Sequence, residues 1–317
     1  MDLISLSRII LDVIIEQVAL RQQIDIDKIA DASLYVNKDE PEVTELRQYT
    51  EFQQYVNGYG SDSYDRYNML LKFAPTNCYA ADELATMYYW GKTYWLSDNN
   101  YFELEQSYEK AAEWYVKAIE NSHPPLQSSC WSLSYALTNI RCETEEERAL
   151  AEKKAIEYLQ LAGEYPAAYN RIAFFLFRDA EALYKAWDGD PSRYEDILVQ
   201  LLSAIRLADR AGAMHWFYGN NQIASFLIRH EKDGRLLSDL SKRLALHVPF
   251  DAEAQLMHSV FYHNPWALKH LAIYYIDHGR KTEAKSLLLE AMDANYNAAY
   301  YEMARHFHKK EAKNGVS

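Results

Sequence analysis

Residues 80–91 read AADELATMYYWG, and the spacing of Ala80, Leu84, Ala85, Tyr88 and Gly91 decides the fold class. Offsets of 0, +4, +5, +8 and +11 fall on one face of a helix, so that face carries a large residue, a small one and an aromatic in fixed order. The template recurs at Ser129, Leu133, Ser134, Leu137; at Ala168, Ile172, Ala173, Leu176; at Gly219, Ile223, Ala224, Leu227; at Ala267, Leu271, Ala272, Tyr275; and at Ala299, Met303, Ala304, Phe307. Six occurrences make an internal repeat, which takes precedence over any residue-level reading. The small residue at +5 marks where a second helix can approach closely, because the side chains at the contact set the interaxial distance.

The partner helices are legible between these segments. In SYEKAAEWYVKAIENS (107–122), Lys110, Ala111, Trp114, Lys117 and Ala118 alternate small and large residues at helical spacing. Lys154, Ala155, Tyr158, Leu161 and Ala162 do the same, as do Glu283, Ala284, Leu287, Glu290 and Ala291. Successive template helices start 49, 39, 51, 48 and 32 residues apart, and the irregularity has local causes. Residues 92–107 (KTYWLSDNNYFELEQS) are an insertion, WDGDPS (187–192) is a turn cluster in a second insertion near 183–193, and residues 251–263 read as an extra helix. Thr144 and Glu147 have capping-box spacing and start a helix. Residues 1–75 are helical in period but lack the template, so they are expected to form an N-terminal helical cap before a repeat array at 76–317.

With these features the chain resembles the Sel1-like repeat family, short-repeat relatives of tetratricopeptide repeats. The resemblance is strongest in AADELATMYYWG and YEKAAEWYVKAIENSHPPLQSS, where His123 and Pro124 are similar to the family's repeat junction. Pro166 and Pro265 likewise stand two residues before Ala168 and Ala267. It implies an all-α, right-handed α-solenoid of about five or six helix pairs, each burying its apolar face against its neighbours. It also implies scaffolding of signalling or assembly partners.

Composition agrees with a helical, folded chain. The 317 residues are 49% apolar and 25% charged, and 10 Gly plus 8 Pro are too few breakers to bound the short strands of a mostly β fold. The net charge of −13 divides into −15 over residues 1–190 and +2 over 191–317. An acidic chain without a basic run repels phosphate backbones, which argues against a nucleic-acid partner, and Lys309, Lys310 and Lys313 are too few to reverse this. Residues 25–35 (DIDKIADASLY) have a helix-turn-helix flavour, but the following NKDEPEVTELRQYTEF would turn acids toward the groove. The apolar N-terminus is interrupted by Asp2, Arg8, Asp12 and Glu16, unlike a signal peptide, and no run reaches the ~18 apolar residues of a membrane span. Cys78, Cys130 and Cys142 form no disulfide framework, which fits a reducing compartment, so a cytoplasmic location without membrane contact is expected.

The catalytic motifs are missing. Nine of the ten histidines follow residue 214, yet none has HExxH spacing, and His306 and His308 diverge by about 200° on a helix. There is no GxSxG elbow, no glycine-rich phosphate loop and no reactive cysteine setting, and acids such as Asp188, Asp190 and Glu145–Glu147 read as turn and helix-start residues. No cofactor, metal or catalytic residue is expected, and a metal-dependent enzyme is the weakest alternative.

What remains is a binding surface. If offsets 0, +4, +5 and +8 are core, then −1, +2, +6, +9 and +10 face outward on the template helices, which line the concave groove. Those positions give Tyr79, Tyr89 and Trp90; Trp131, Tyr135 and Asn139; Asn170, Phe174 and Arg178; Tyr218, Asn221 and Arg229; Trp266 and Lys269; and Tyr301 and Arg305. Asn can serve both the N–H and the C=O of an extended peptide, Arg forks pair with carboxylates, and Trp and Tyr anchor interfaces. The expected function is a non-enzymatic scaffold or adaptor holding a protein or peptide. Arg178, Arg229, Lys269 and Arg305 suit a partner with an acidic segment or a free C-terminal carboxylate. A regulatory peptide-sensing domain acting through another subunit is the alternative.

Overall fold

The computed structural model describes residues 41–56, 64–97 and 100–307. The expectations for the apolar N-terminus, for residues 25–35 and for Lys309, Lys310 and Lys313 fall outside the described residues. The chain is an all-α array of paired helices, interrupted among the described residues by one two-stranded hairpin. It divides into two compact units, Met1–Ser129 and Cys130–Ser317.

The first unit contains α1 (Pro41–Val56), α2 (Tyr64–Phe73), α3 (Cys78–Trp90), the strands β1 (Lys92–Ser97) and β2 (Asn100–Leu104), and α4 (Tyr108–Glu120). Asn77 starts α3 by accepting from the amides of Tyr79 and Ala80 at 3.1 and 3.0 Å. Its own amide donates to the Gln48 carbonyl at 2.8 Å, while Gln48 Oε1 accepts from the Cys78 N–H and Gln48 Nε2 donates to the Asn121 carbonyl. One buried glutamine thus ties α1 to the entry of α3 and the exit of α4. The insertion expected at 92–107 is the hairpin, whose Tyr94 and Phe102 pack against Tyr64 and Tyr67 of α2. Gly91 joins α3 to it at φ +68°, where an added Cβ would press on backbone atoms of Leu104 and Gln106.

A further helix, α5 (Gln127–Asn139), leads into the second unit. There follow α6 (Glu145–Leu161), α7 (Pro166–Lys185), α8 (Pro191–Ala213), α9 (Tyr218–Arg229), α10 (Gly234–Ser241), α11 (Ala252–Phe261), α12 (Pro265–Asp277), α13 (Lys281–Asp293) and α14 (Asn297–Phe307). The Thr144–Glu147 capping box opens α6, and Pro166 and Pro265 occupy the first turns of α7 and α12, where no N–H partner is lost. The extra helix expected at 251–263 is α11; it packs between α9 and α12, while the short α10 lays Leu236 and Leu240 on the core shared by α7, α8 and α9. The residues between α7 and α8 reduce to the turn 186–190, with Asp190 capping α8.

The template explains the close packing. Ala80, Ser129, Ala168, Gly219, Ala267 and Ala299 at offset 0 are all buried, as are Ala85, Ser134, Ala173, Ala224 and Ala272 at +5. Gly219 shows why the position must be small: a Cβ there would lie 2.0 Å from the Ala208 carbonyl oxygen of α8. Large residues fill the rest of the face, with Leu84, Leu133, Ile223 and Leu271 fully buried. Each such side chain removed from water contributes roughly 1.5–3 kcal/mol. In α14 the +5 residue, Ala304, is exposed.

Candidate functional site

The second unit holds an open cleft of about 650 Å³ between α7, α9 and the start of α12. Asn170, Phe174 and Arg178 line it from α7, Tyr218, Asn221 and Arg229 from α9, and Trp266 from α12. These residues sit at −1, +2, +6 and +10 of three successive template helices, so parallel packing brings equal offsets to one wall. Phe174 and Tyr218 are 44% and 43% exposed, giving the cleft two accessible rings. Its end at the C-terminal turns of α7 and α9 carries Arg178, Glu181, Lys185 and Arg229.

Most of that charge is already paired. Arg178 makes a two-pronged contact with Glu152, at 2.6 and 2.8 Å, and reaches Asp179, bonds that raise its pKa further. Arg229 donates to Glu181 Oε1 at 2.8 and 3.1 Å, and His230 lies 3.3 Å from the same oxygen. Burial pushes the Glu181 carboxyl up, but the bonds from His230 and Arg229 outweigh it and hold it below its usual range. Lys185, the last residue of α7, is exposed and has no acid partner among the described residues.

Other expected residues lie elsewhere. Trp131, Tyr135 and Asn139 are on α5; the Trp131 and Tyr135 rings meet edge to face at 5.1 Å, and Asn139 donates to the Tyr135 carbonyl. The Arg171 guanidinium sits 3.9 Å from the Tyr135 ring centre, with Phe174 5.2 Å away on its own helix, so a cation links this pair to the cleft's edge. Tyr89 and Trp90 belong to the first unit, where Tyr89 packs between Trp90 and Tyr108 and Trp90 is 72% exposed. Tyr79, by contrast, is packed against Tyr49 and Phe52 of α1. Burial lowers the pKa of Lys269, with Glu302 opposing, and Arg305 pairs with Glu302 at 3.7 Å; these two and the exposed Tyr301 do not line the cleft.

Several lining residues escaped the sequence reading. Ser225 stands at +6 of α9, an outward offset. Gln222 falls between the outward offsets. Glu181 and Lys185 come from the extra turns by which α7 outruns the template, a length visible in the unbroken run FFLFRDAEALYK. Phe177, at +9, turns inward instead, 4% exposed with its ring 5.3 Å from Phe226. Asn221 is likewise almost buried. Among the described residues no three His, Cys, Asp or Glu side chains are placed to share a metal, and no helix is long and apolar enough to cross a membrane. Among the described residues no two cysteines are joined in a disulfide.

No protein-family profile matches the chain, and no curated protein matches it. Among solved structures, a Sel1 repeat protein from Oxalobacter formigenes aligns at 14% identity over 74% of this chain and 80% of its own, with a TM-score of 0.45. A protective antigen present in uropathogenic Escherichia coli strains, displaying an SLR fold, aligns at 15% identity over 75% of this chain and 58% of its own, with a TM-score of 0.27. Both likenesses are distant, at low identity and partial coverage.

Proposed function

We propose that this protein is a non-enzymatic scaffold that holds a segment of a partner protein or peptide in the cleft between α7 and α9. The observation that carries the reading is the convergence of Asn170, Phe174, Arg178, Asn221, Arg229 and Trp266 on one open cleft. Exposed aromatic rings beside amides and cations are the residue types that anchor interfaces, and a cleft open along its length suits an extended segment better than an enclosed small molecule. Repeat scaffolds use one wall of parallel helices in this way.

The test is a comparison of partners recovered from the native host with wild-type protein and with a Phe174→Ala/Trp266→Ala variant. Loss of a specific partner, with helical content and melting temperature unchanged, supports the reading. Equal recovery of the same partner by the folded variant would overturn it. Charge reversal at Arg178 or Arg229 is a poorer probe, because it would set a new carboxylate beside Glu152 or Glu181 and disturb the fold itself.

A further inference from the structure

Three imidazoles gather where α11 meets the turn into α9. His258, on α11, meets the His247 ring edge to face at 5.3 Å and the Tyr262 ring at 5.4 Å, and the Tyr262 hydroxyl lies 3.2 Å from His215 Nδ1. Asp209 of α8 faces the group, but His247 engages it through its main-chain N–H at 3.2 Å and its ring Nδ1 at 2.7 Å. The titratable groups around His258 are thus Asp209 from α8, His215 from the turn 214–217, His247 from the segment before α11, and Tyr262 beside the end of α11; among the described residues no charged group of α9 or α12 acts on it. His258 Nδ1 is buried and has no hydrogen-bond partner among the described residues. A neutral imidazole can leave that nitrogen bare, whereas an imidazolium carries an N–H on both nitrogens and would hold a buried donor without an acceptor. Burial, His247 and His215 hold the His258 pKa below its ordinary value, against Asp209.

What this group holds is the entry of α9. Ser259 Oγ donates to the Phe217 carbonyl at 3.1 Å, and the Phe217 and Tyr262 rings stack with centres 6.3 Å apart. The end of α11 thereby fixes the turn 214–217 directly before Tyr218, an exposed ring of the cleft. We infer that His258 is an acid-sensitive latch: neutral, it keeps α11 against the turn into α9 and Tyr218 in the cleft, and protonated, it releases them. Acidification sets up to three positive charges on neighbouring rings against the single carboxylate of Asp209, and the charged His258 ring reaches water for its Nδ1–H only by leaving its place. A histidine that titrates near 6.5 once released, and lower while latched, opens up to about tenfold more readily at pH 5.5 than at pH 7.5. The stabilisation is therefore present above that value and is lost as pH falls below it. The consequence for partner binding rests on the scaffold reading; the latch itself does not.

The experiment is hydrogen–deuterium exchange on the full chain at pH 7.5 and pH 5.5, corrected for the intrinsic pH dependence of exchange. The reporters are the amides of Trp216, Gly219 and Asn221, which donate to the carbonyls of Ala211, Trp216 and Phe217. Their protection is expected to fall by up to about tenfold at pH 5.5, while amides in the middle of α7 keep theirs. His258→Gln and His258→Phe each remove the proton-binding group, and in either variant the fall is expected to vanish. Equal protection at both pH values in wild type, a comparison that needs no variant to fold, would overturn the latch, as would an undiminished fall in a folded His258 variant. No partner enters this measurement, so neither result bears on the scaffold reading. The link to the cleft is read separately, with the partner that Phe174→Ala/Trp266→Ala loses: wild type should recover less of it at pH 5.5 than at pH 7.5, and His258→Gln the same amount at both. Equal recovery by wild type at both pH values would sever the latch from the cleft. If Phe174→Ala/Trp266→Ala recovers every partner normally, the scaffold reading fails and the latch stands.

Discussion

Replacing Gly219 by alanine tests the rule that position 0 of the template sets the helix spacing. The new Cβ would lie 2.0 Å from the Ala208 carbonyl oxygen and about 3 Å from further backbone atoms of Ala208 and Gly212. None of these atoms can rotate away, so α9 must move off α8. Overpacking of a tight contact costs typically 1–3 kcal/mol, and a clash with backbone belongs at the upper end. Alanine returns up to about 1 kcal/mol in helix propensity, leaving a net loss of roughly 2 kcal/mol. With a urea dependence of about 2 kcal/mol per molar, the unfolding midpoint should fall by about 1 M. Gly234→Ala is the control, because an added Cβ there meets nothing within 4 Å at the start of α10. The assay is urea denaturation followed by circular dichroism at 222 nm. A Gly219→Ala midpoint equal to or above that of wild type would refute the packing argument.

Three further outcomes follow from the packing and the titrating groups. Gln48→Ala removes the two side-chain hydrogen bonds, to the Cys78 N–H and to the Asn121 carbonyl, costing about 1–3 kcal/mol and accelerating hydrogen exchange in α1 and the first turn of α3. Phe226→Ala, at a fully buried ring packed on Phe177, should cost about 3–5 kcal/mol and lower the melting temperature of the second unit. Burial holds the His270 pKa down to about 4, against the bond to the Trp266 carbonyl and assisted by Lys269. Its neutral form is the native one, so its contribution is fully present above the unfolded value near 6.5 and is lost as pH falls from there toward 4. The loss reaches at most about 3 kcal/mol at 1.36 kcal/mol per unit, and His270→Gln should flatten that part of the stability–pH profile measured by urea titration.

The repeat was legible because its physical cause is local: a helix pair needs small residues at 0 and +5 wherever it packs closely, and Ala, Ser and Gly at those offsets survive drift in everything else. The wall of the cleft was legible for the same reason, since Asn170 and Asn221, or Arg178 and Arg229, hold equal offsets on parallel helices. The hairpin at 92–104 was visible only as an interruption, because its rings pack on α2 and no pattern within KTYWLSDNNYFELEQS names that partner. Pairing of α9 with α11 instead of the adjacent α10 depends on long-range contacts of the kind made by Asn220 with Gln255. The charge pairing in the cleft was hidden likewise, since Glu152 and Glu181 lie 26 and 48 residues from the arginines they hold.

The central claim, that a partner segment lies in the α7–α9 cleft, is tested most directly by site-specific photocrosslinking in the native host. A benzophenone side chain is placed at Phe174, in the cleft, or at Val199, exposed on α8 and outside it. The account predicts a discrete adduct from position 174 that maps to one short segment of the partner, and none from position 199. An adduct from position 199 with nothing at 174 would contradict it.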